Sequence, residues 1–180
     1  PFFVGVRDGL SSGNELVREG YQRVLEARFN DAAFFVGRDG AATLESKLPL
    51  LERVIYQKAL GSMAQKAARV EELAAWIGAH VRQTAPVDEQ AVARAARLVY
   101  ADLVTEVVRE FPELQGHMGG VYARKDGEAE RVAIAVEQFY YPIGAKSPAP
   151  ATAEAAVVSL AGKLDGLAGC FAAGLIPTGS

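Results

Sequence analysis

Apolar residues recur at three- and four-residue intervals along most of this chain, the period of helices that bury one face. The clearest case is Met63, Ala67, Val70, Ala74, Ile77 and Val81, which predicts a core helix with Lys66, Arg69, Glu71 and Glu72 away from its seam. Before it, Asn14 is placed to cap a helix with Leu16, Val17, Tyr21, Val24 and Leu25 on one stripe, continuing or bending into residues 30–35 and stopped by residues 37–40. Leu44, Leu48, Leu51, Val54 and Ile55 suggest another helix, with Pro49 in a first turn or a kink. Thr84-Ala85-Pro86 breaks the core helix, and Asp88 then caps a long one whose apolar face holds Leu98, Val104, Val107, Val108 and Phe111. Pro112 ends that helix, and residues 113–120 crowd Gly116, Gly119 and Gly120 around Met118, as suits a loop that exposes backbone.

The remaining pattern is simpler. Residues 124–127 read as a turn, and residues 128–140 as a helix through Val132, Val136 and Phe139. Residues 144–151, with Pro148 and Pro150, form an extended connector, after which Thr152 caps a last helix with Val157, Leu160, Leu164, Leu167 and Phe171 on one side. Gly162, Gly166 and Gly169 lie inside that helix, each at about 1 kcal/mol relative to Ala. Such positions indicate a closely approaching backbone, from within the domain or from a partner. Residues 2–6 are short and apolar and read as a strand, which in a helical chain has no partner and is assigned to the sheet of a preceding domain. The expected fold is therefore all-α, a bundle of about six or seven helices with that N-terminal strand appended. Residues 1–13 form the end of a preceding domain or a linker, 14–57 the leading helices and 58–180 the main helical domain.

Composition narrows the class. The 180 residues are 50% hydrophobic, 23% charged and 8% aromatic, which describes an ordered globular chain. The missing initiator Met and the sequence of the opening residues predict a start cut from within a longer chain, without a secretory signal. Residues 167–176 are about half of the ~20 a membrane span requires, so no span is expected. The one cysteine, Cys170, is read as core rather than nucleophile, and a cytoplasmic location is expected. A net charge of −3 means that any nucleic-acid footprint has to be a local patch.

Asp102 is the residue that raises a chemical question, because a carboxylate among valines and leucines is costly unless something pairs with it. Around it, Asp102-Leu103, Thr105, Val108, Glu110-Phe111, Glu113-Leu114-Gln115-Gly116, Met118-Gly119 and Tyr122-Ala123 follow the run K-x-D-L-x-T-x-x-V-x-E-F-x-E-L-Q-G-x-M-G-x-x-Y-A. That run resembles the β subunit of the bacterial two-subunit glycyl-tRNA synthetase. The likeness continues at Arg18-Glu19-Gly20, Arg23-Val24-Leu25, Ala27-Arg28, Asp31-Ala32 and Phe34-Phe35, and at Gly174 and Ile176-Pro177-Thr178-Gly179. Tyr100 departs from it, standing where the family pattern has Lys.

The resemblance implies an HD-like domain, a helical fold whose metal-dependent members place His, then His-Asp, then Asp on separate helices to hold a divalent ion that activates water. The first His falls near Gly61, the His of the pair on Ala101, its Asp on Asp102 and the final Asp on Gly162, with Asp165 one turn further on. One ligand of four is present, and His80 and His117 stand at neither required position. The expectation is an HD-like fold without metal and without catalytic residues, in which Asp102 hydrogen-bonds a loop amide or pairs with Arg97, Lys163 or Arg109.

The same resemblance implies membership of a glycine-tRNA ligase that uses ATP and Mg, with the adenylate chemistry in the α subunit. The leading expectation is a non-catalytic module contacting glycine tRNA, through Lys58, Lys66, Arg69, Arg109, Gln115, Arg124 and Lys125, aided by the amides of Gly116, Gly119 and Gly120. An assembly module that docks other β-subunit domains or the α subunit is the alternative, and an active phosphohydrolase a remote one. No membrane partner is expected.

Overall fold

The computed structural model describes residues 2–9 and 12–175, so the matched residues 176–179 lie outside them. Its described residues form eight α-helices, three 3₁₀ segments and one two-stranded antiparallel hairpin. The all-α expectation therefore holds.

The core is built from α3 (Met63–Val81), α4 (Glu89–Leu98), α7 (Glu130–Glu137) and α8 (Ala153–Ala172), which pack on one another, with α6 (His117–Lys125) laid against α7. Helix α3 begins where Ser62 accepts from Gln65 N while Gln65 Oε1 accepts from Ser62 N, a reciprocal cap written in the sequence as Ser-x-x-Gln. Met63, Val70, Ala74 and Ile77 are buried as their spacing predicts. Lys66 is buried with them, contrary to its expected place on the polar side. It stands three residues after Met63 and four before Val70, so the helical period puts it on the seam. Asp88 caps α4 by accepting from Gln90 N and Ala91 N, and Thr152 caps α8 through Ala155 N.

Four expectations are corrected. Residues 2–6, expected as a strand, pair with no strand among the described residues; Phe3 instead meets the Tyr21 ring edge-on. The leading region holds α1 (Asn14–Asp39), then α2 (Leu44–Lys47) running into a 3₁₀ turn at Leu48–Arg53, and then the hairpin β1 (Ile55–Gln57) and β2 (Gly61–Ser62). Ile55 pairs Ser62 and Gln57 pairs Gly61, with an irregularity between the two. Third, the long helix through Asp102 is broken: a 3₁₀ turn over Ala101–Val104 follows α4, Thr105 goes extended, and its hydroxyl caps α5 (Glu106–Glu110) through Val108 N. Fourth, the glycine-rich segment is not a loop. After a 3₁₀ turn at Pro112–Leu114, Gly116 at φ 79° starts α6, and Gly119 and Gly120 lie inside it.

Those two glycines allow α6 and α7 to touch. A Cβ on Gly120 would lie 2.5 Å from Glu137 Cβ and 3.2 Å from the Ala133 carbonyl. The apolar stripe predicted for α8 divides: Val157, Val158 and Ala161 are buried, whereas Leu160, Leu164, Leu167 and Phe171 face outward. Helix α8 is long and apolar enough to cross a membrane by length and composition alone. Its first half is buried against α3, α4 and α7, and Glu154 and Asp165 of this helix are ion-paired. Cys170 in its second half is half-buried. Helix α1 has α5 as its principal neighbour and buries only Asp39, leaving Leu16, Val24, Phe29 and Phe34 exposed.

Asp39 is the joint between α1 and the body. Its carboxylate accepts from Glu106 N and Val107 N at 2.9 Å each, satisfying the first amides of α5, and from the Tyr122 hydroxyl at 3.2 Å.

Candidate functional site

Asp102 is fully buried, held in the 3₁₀ turn that follows α4. One oxygen, Oδ2, accepts from Gly116 N at 2.6 Å and Gly119 N at 3.1 Å, which fastens the start of α6 to that turn. The other, Oδ1, is buried without a hydrogen-bond partner among the described residues. Burial pushes the carboxyl up to about 6, against the pull of the two glycine amides. Gly119 is required here as well: a Cβ would stand 2.8 Å from Val136 Cγ1 and 3.1 Å from Asp102 Oδ2.

Of the expected partners for Asp102, backbone amides are therefore the ones used, although they belong to the start of α6 and not to a loop. Arg97 bonds Glu45, Lys163 bonds the Tyr140 and Tyr141 carbonyls, and Arg109 is exposed on α5. The Gly116 and Gly119 amides, expected to meet phosphate, are taken up by Asp102, and that expectation is withdrawn.

The residues at the four positions that the HD-like resemblance implies as metal ligands do not fit an ion. Ala101 is buried, Gly61 sits in β2 with Gln65 Oε1 over it, and Gly162 lies under the Phe139 ring, whose Cζ would be 2.3 Å from a Cβ there. Asp165 is held by Lys66 at 2.7 Å and by Arg69 at 2.6 Å. Burial works against its charge, yet Arg69 and Lys66 outweigh it and hold the carboxyl below its usual range. Among the described residues no group of three His, Cys, Asp or Glu is arranged to hold a metal. His80 stacks on Trp76 at 4.0 Å in the last turn of α3, and His117, the first residue of α6 rather than a loop residue, lies 3.0 Å from Glu137.

Met63, Tyr100, Leu103 and Gly162, neighbours or members of those four positions, nevertheless line one cleft of about 370 Å³. Tyr56, Lys66, Gln115, Phe139, Tyr140 and Lys163 contribute to the same wall. Lys66 Nζ also lies 4.2 Å from the centre of the Tyr56 ring. Sequence reasoning placed Lys66 and Gln115 at a functional surface but missed the three tyrosines there and gave Lys163 only as a candidate partner of Asp102, because they come from β1, the turn after α4, the turn after α7 and α8. A larger trough between residues 2–9 and α1 holds none of the predicted site residues.

The seven predicted contact residues are thus divided. Lys66 and Arg69 are engaged with Asp165, and Arg124 with Glu130 and Glu137 at 2.9 and 2.8 Å. Lys58, in the β1–β2 turn, and Arg109 are exposed, with no carboxylate partner among the described residues. Lys125 is exposed and donates to the Gly40 carbonyl, and Gln115 is exposed at the mouth of the cleft.

The family model of the glycyl-tRNA synthetase beta subunit matches residues 1–180. This chain belongs to that family. It is 47% identical over all 180 residues to the glycine–tRNA ligase beta subunit of Nitratidesulfovibrio vulgaris (strain Miyazaki F), of which it covers 25%. The beta subunit of Oleidesulfovibrio alaskensis is also 47% identical, with the same coverage. That of Neisseria meningitidis serogroup C is 51% identical over 160 residues, 89% of this chain and 23% of the relative. The chain thus spans about a quarter of the length of these curated family members.

Proposed function

We propose that this domain is a non-catalytic part of a glycine–tRNA ligase β subunit and that it contacts glycine tRNA. The observation that carries the first half is the state of Asp102: the one acid left of the metal set is bonded to Gly116 N and Gly119 N, with Ala101, Gly61 and Gly162 where further ligands belong. The second half is supported by Lys58, Arg109 and Lys125, exposed cations without carboxylate partners in an acidic chain. ATP and Mg, and the α subunit as partner, belong to the complete ligase in this reading.

The test uses the two-subunit enzyme with Lys58, Arg109 and Lys125 changed to Glu. KM for tRNA should rise while glycine-dependent ATP–pyrophosphate exchange stays unchanged. An unchanged KM would overturn the tRNA contact.

A second reading, assembly, is favoured by the outward apolar residues Leu160, Leu164, Leu167 and Phe171 of α8 and by those of α1. It predicts that Leu164→Glu with Leu167→Glu separates the domain from the rest of the ligase and abolishes the exchange reaction too.

A further inference from the structure

Two cations and no acid line the cleft beside Asp102: Lys66 and Lys163. Lys66 is neutralised by Asp165, which Arg69 also holds, so that trio keeps one positive charge. Lys163 has no carboxylate partner among the described residues. Its ammonium donates to the Tyr140 carbonyl, the Tyr141 carbonyl and Ser159 Oγ at 3.0 to 3.1 Å, and partial burial lowers its pKa from the usual lysine value. Those three oxygens use all three ammonium donors, so an anion would engage Lys163 through its uncompensated charge and by displacing the neutral Ser159 hydroxyl.

The same wall presents phenol hydroxyls without hydrogen-bond partners among the described residues. Tyr100 is only 4% exposed, and its hydroxyl makes no hydrogen bond to any described residue, although it lines the cleft. Tyr56 and Tyr140 likewise line it without a hydrogen bond from the hydroxyl to the described residues. Burial holds the Tyr100 and Tyr140 phenols well above their ordinary pKa, so they remain donors. The rings form an aromatic surface as well: Phe139 meets Tyr100 and Tyr140 edge-on at 5.0 and 4.9 Å.

An anion site beside aromatic faces and free hydroxyl donors matches a phosphate, a base and a ribose in one unit. The volume of about 370 Å³ lies at the small end of the ~300–1,000 Å³ typical of ligand clefts, too small for paired RNA. We infer that the cleft bounded by Tyr56, Tyr100, Tyr140, Lys66, Lys163 and Gln115 takes a single unpaired nucleotide, with its phosphate toward Lys163, its base against Tyr56 and Tyr140 and a polar group on the Tyr100 hydroxyl. This deepens the tRNA reading above and rests on it for the source of the nucleotide. Unpaired bases stacked on aromatic side chains are the usual mode of single-strand recognition.

The experiment titrates the 180-residue chain with adenosine monophosphate, adenosine and inorganic phosphate by calorimetry. The monophosphate should bind saturably, and adenosine and phosphate each about tenfold more weakly, the loss expected of one charge-assisted or stacking contact. Lys163→Met should weaken the monophosphate about tenfold. Tyr100→Phe removes only a hydroxyl that no described residue bonds, so it keeps the fold, and should weaken binding several-fold. No saturable monophosphate binding at millimolar concentration, or the same affinity in both variants, overturns the site. Labelled tRNA separates the two proposals: tRNA that binds the chain equally well in the Lys163→Met variant removes this site but leaves the tRNA contact. Monophosphate binding as described with no tRNA binding keeps the site and removes the contact.

Discussion

Replacing Asp102 by Asn tests whether that carboxylate is a buried fastening rather than a remnant ligand. Its carboxyl has a pKa raised from 3.8 to about 6, so the folded state holds the proton more tightly than the unfolded chain. For a group of this sign, the stabilising contribution is fully present below the unfolded pKa and is lost as pH rises through the folded one. At ~1.36 kcal/mol per pKa unit, ionised Asp102 destabilises the fold by roughly 3 kcal/mol at about pH 7.5 and roughly 2 kcal/mol at about pH 5.5. The wild type should therefore gain ~1 kcal/mol of unfolding free energy, relative to Asp102→Asn, between those two pH values. Asn keeps one oxygen for the Gly116 and Gly119 amides but cannot titrate. Urea unfolding of both proteins at the two pH values measures the difference, and every other titrating group cancels in the comparison. Asp102→Ala, which strands two buried amides, should lose about 2 kcal/mol or more at either pH. Equal pH dependence in wild type and Asn variant, or a neutral Ala variant, would refute the reasoning.

Three further outcomes are expected. Asp165→Asn leaves Lys66 buried without its counter-ion and should cost about 3–5 kcal/mol in urea unfolding, whereas Lys66→Met with Asp165→Leu should recover most of that loss. Gly120→Ala should destabilise by about 1–2 kcal/mol, because overpacking against Glu137 and the Ala133 carbonyl exceeds the ~1 kcal/mol gained in helix propensity; a more stable variant by thermal melting would contradict the close α6–α7 contact. Chain prepared without chelators should hold no stoichiometric Mn, Fe, Zn or Ni by elemental analysis, and a bound equivalent would reopen the hydrolase reading.

Much of the fold was legible where a local signal and the global packing agree. The Met63–Val81 seam and the Asp88 and Thr152 caps all read directly from residue type and spacing, whereas the Ser62–Gln65 cap was a signal left unread. One failure has a clear cause: helical period alone does not say which apolar face meets the core. Leu160, Leu164 and Leu167 have the period of a buried stripe, yet the smaller Val158 and Ala161 pack inward on α8, letting Phe139 lie over Gly162. Gly119 and Gly120 suggested a loop, whereas α6 uses them for close helix contact. At the site, Asp102 and its amide partners were foreseeable from a buried acid ahead of a glycine-rich run. The cleft was not, because Tyr56, Tyr100, Tyr140 and Lys163 are far apart in sequence and meet only when β1, α7 and α8 pack. Lys66 shows a signal overlooked, since its offset from Met63 and Val70 already placed it inside.

The most direct test of the non-catalytic, tRNA-contacting account is salt-titrated binding of this chain to the acceptor stem of glycine tRNA beside an unrelated stem. Saturable binding that weakens with salt, with the slope falling by about one for each of Lys58, Arg109 and Lys125 changed to Glu, is the predicted result. Absence of binding even at low salt would contradict it and leave the apolar faces of α1 and α8 as the functional surface.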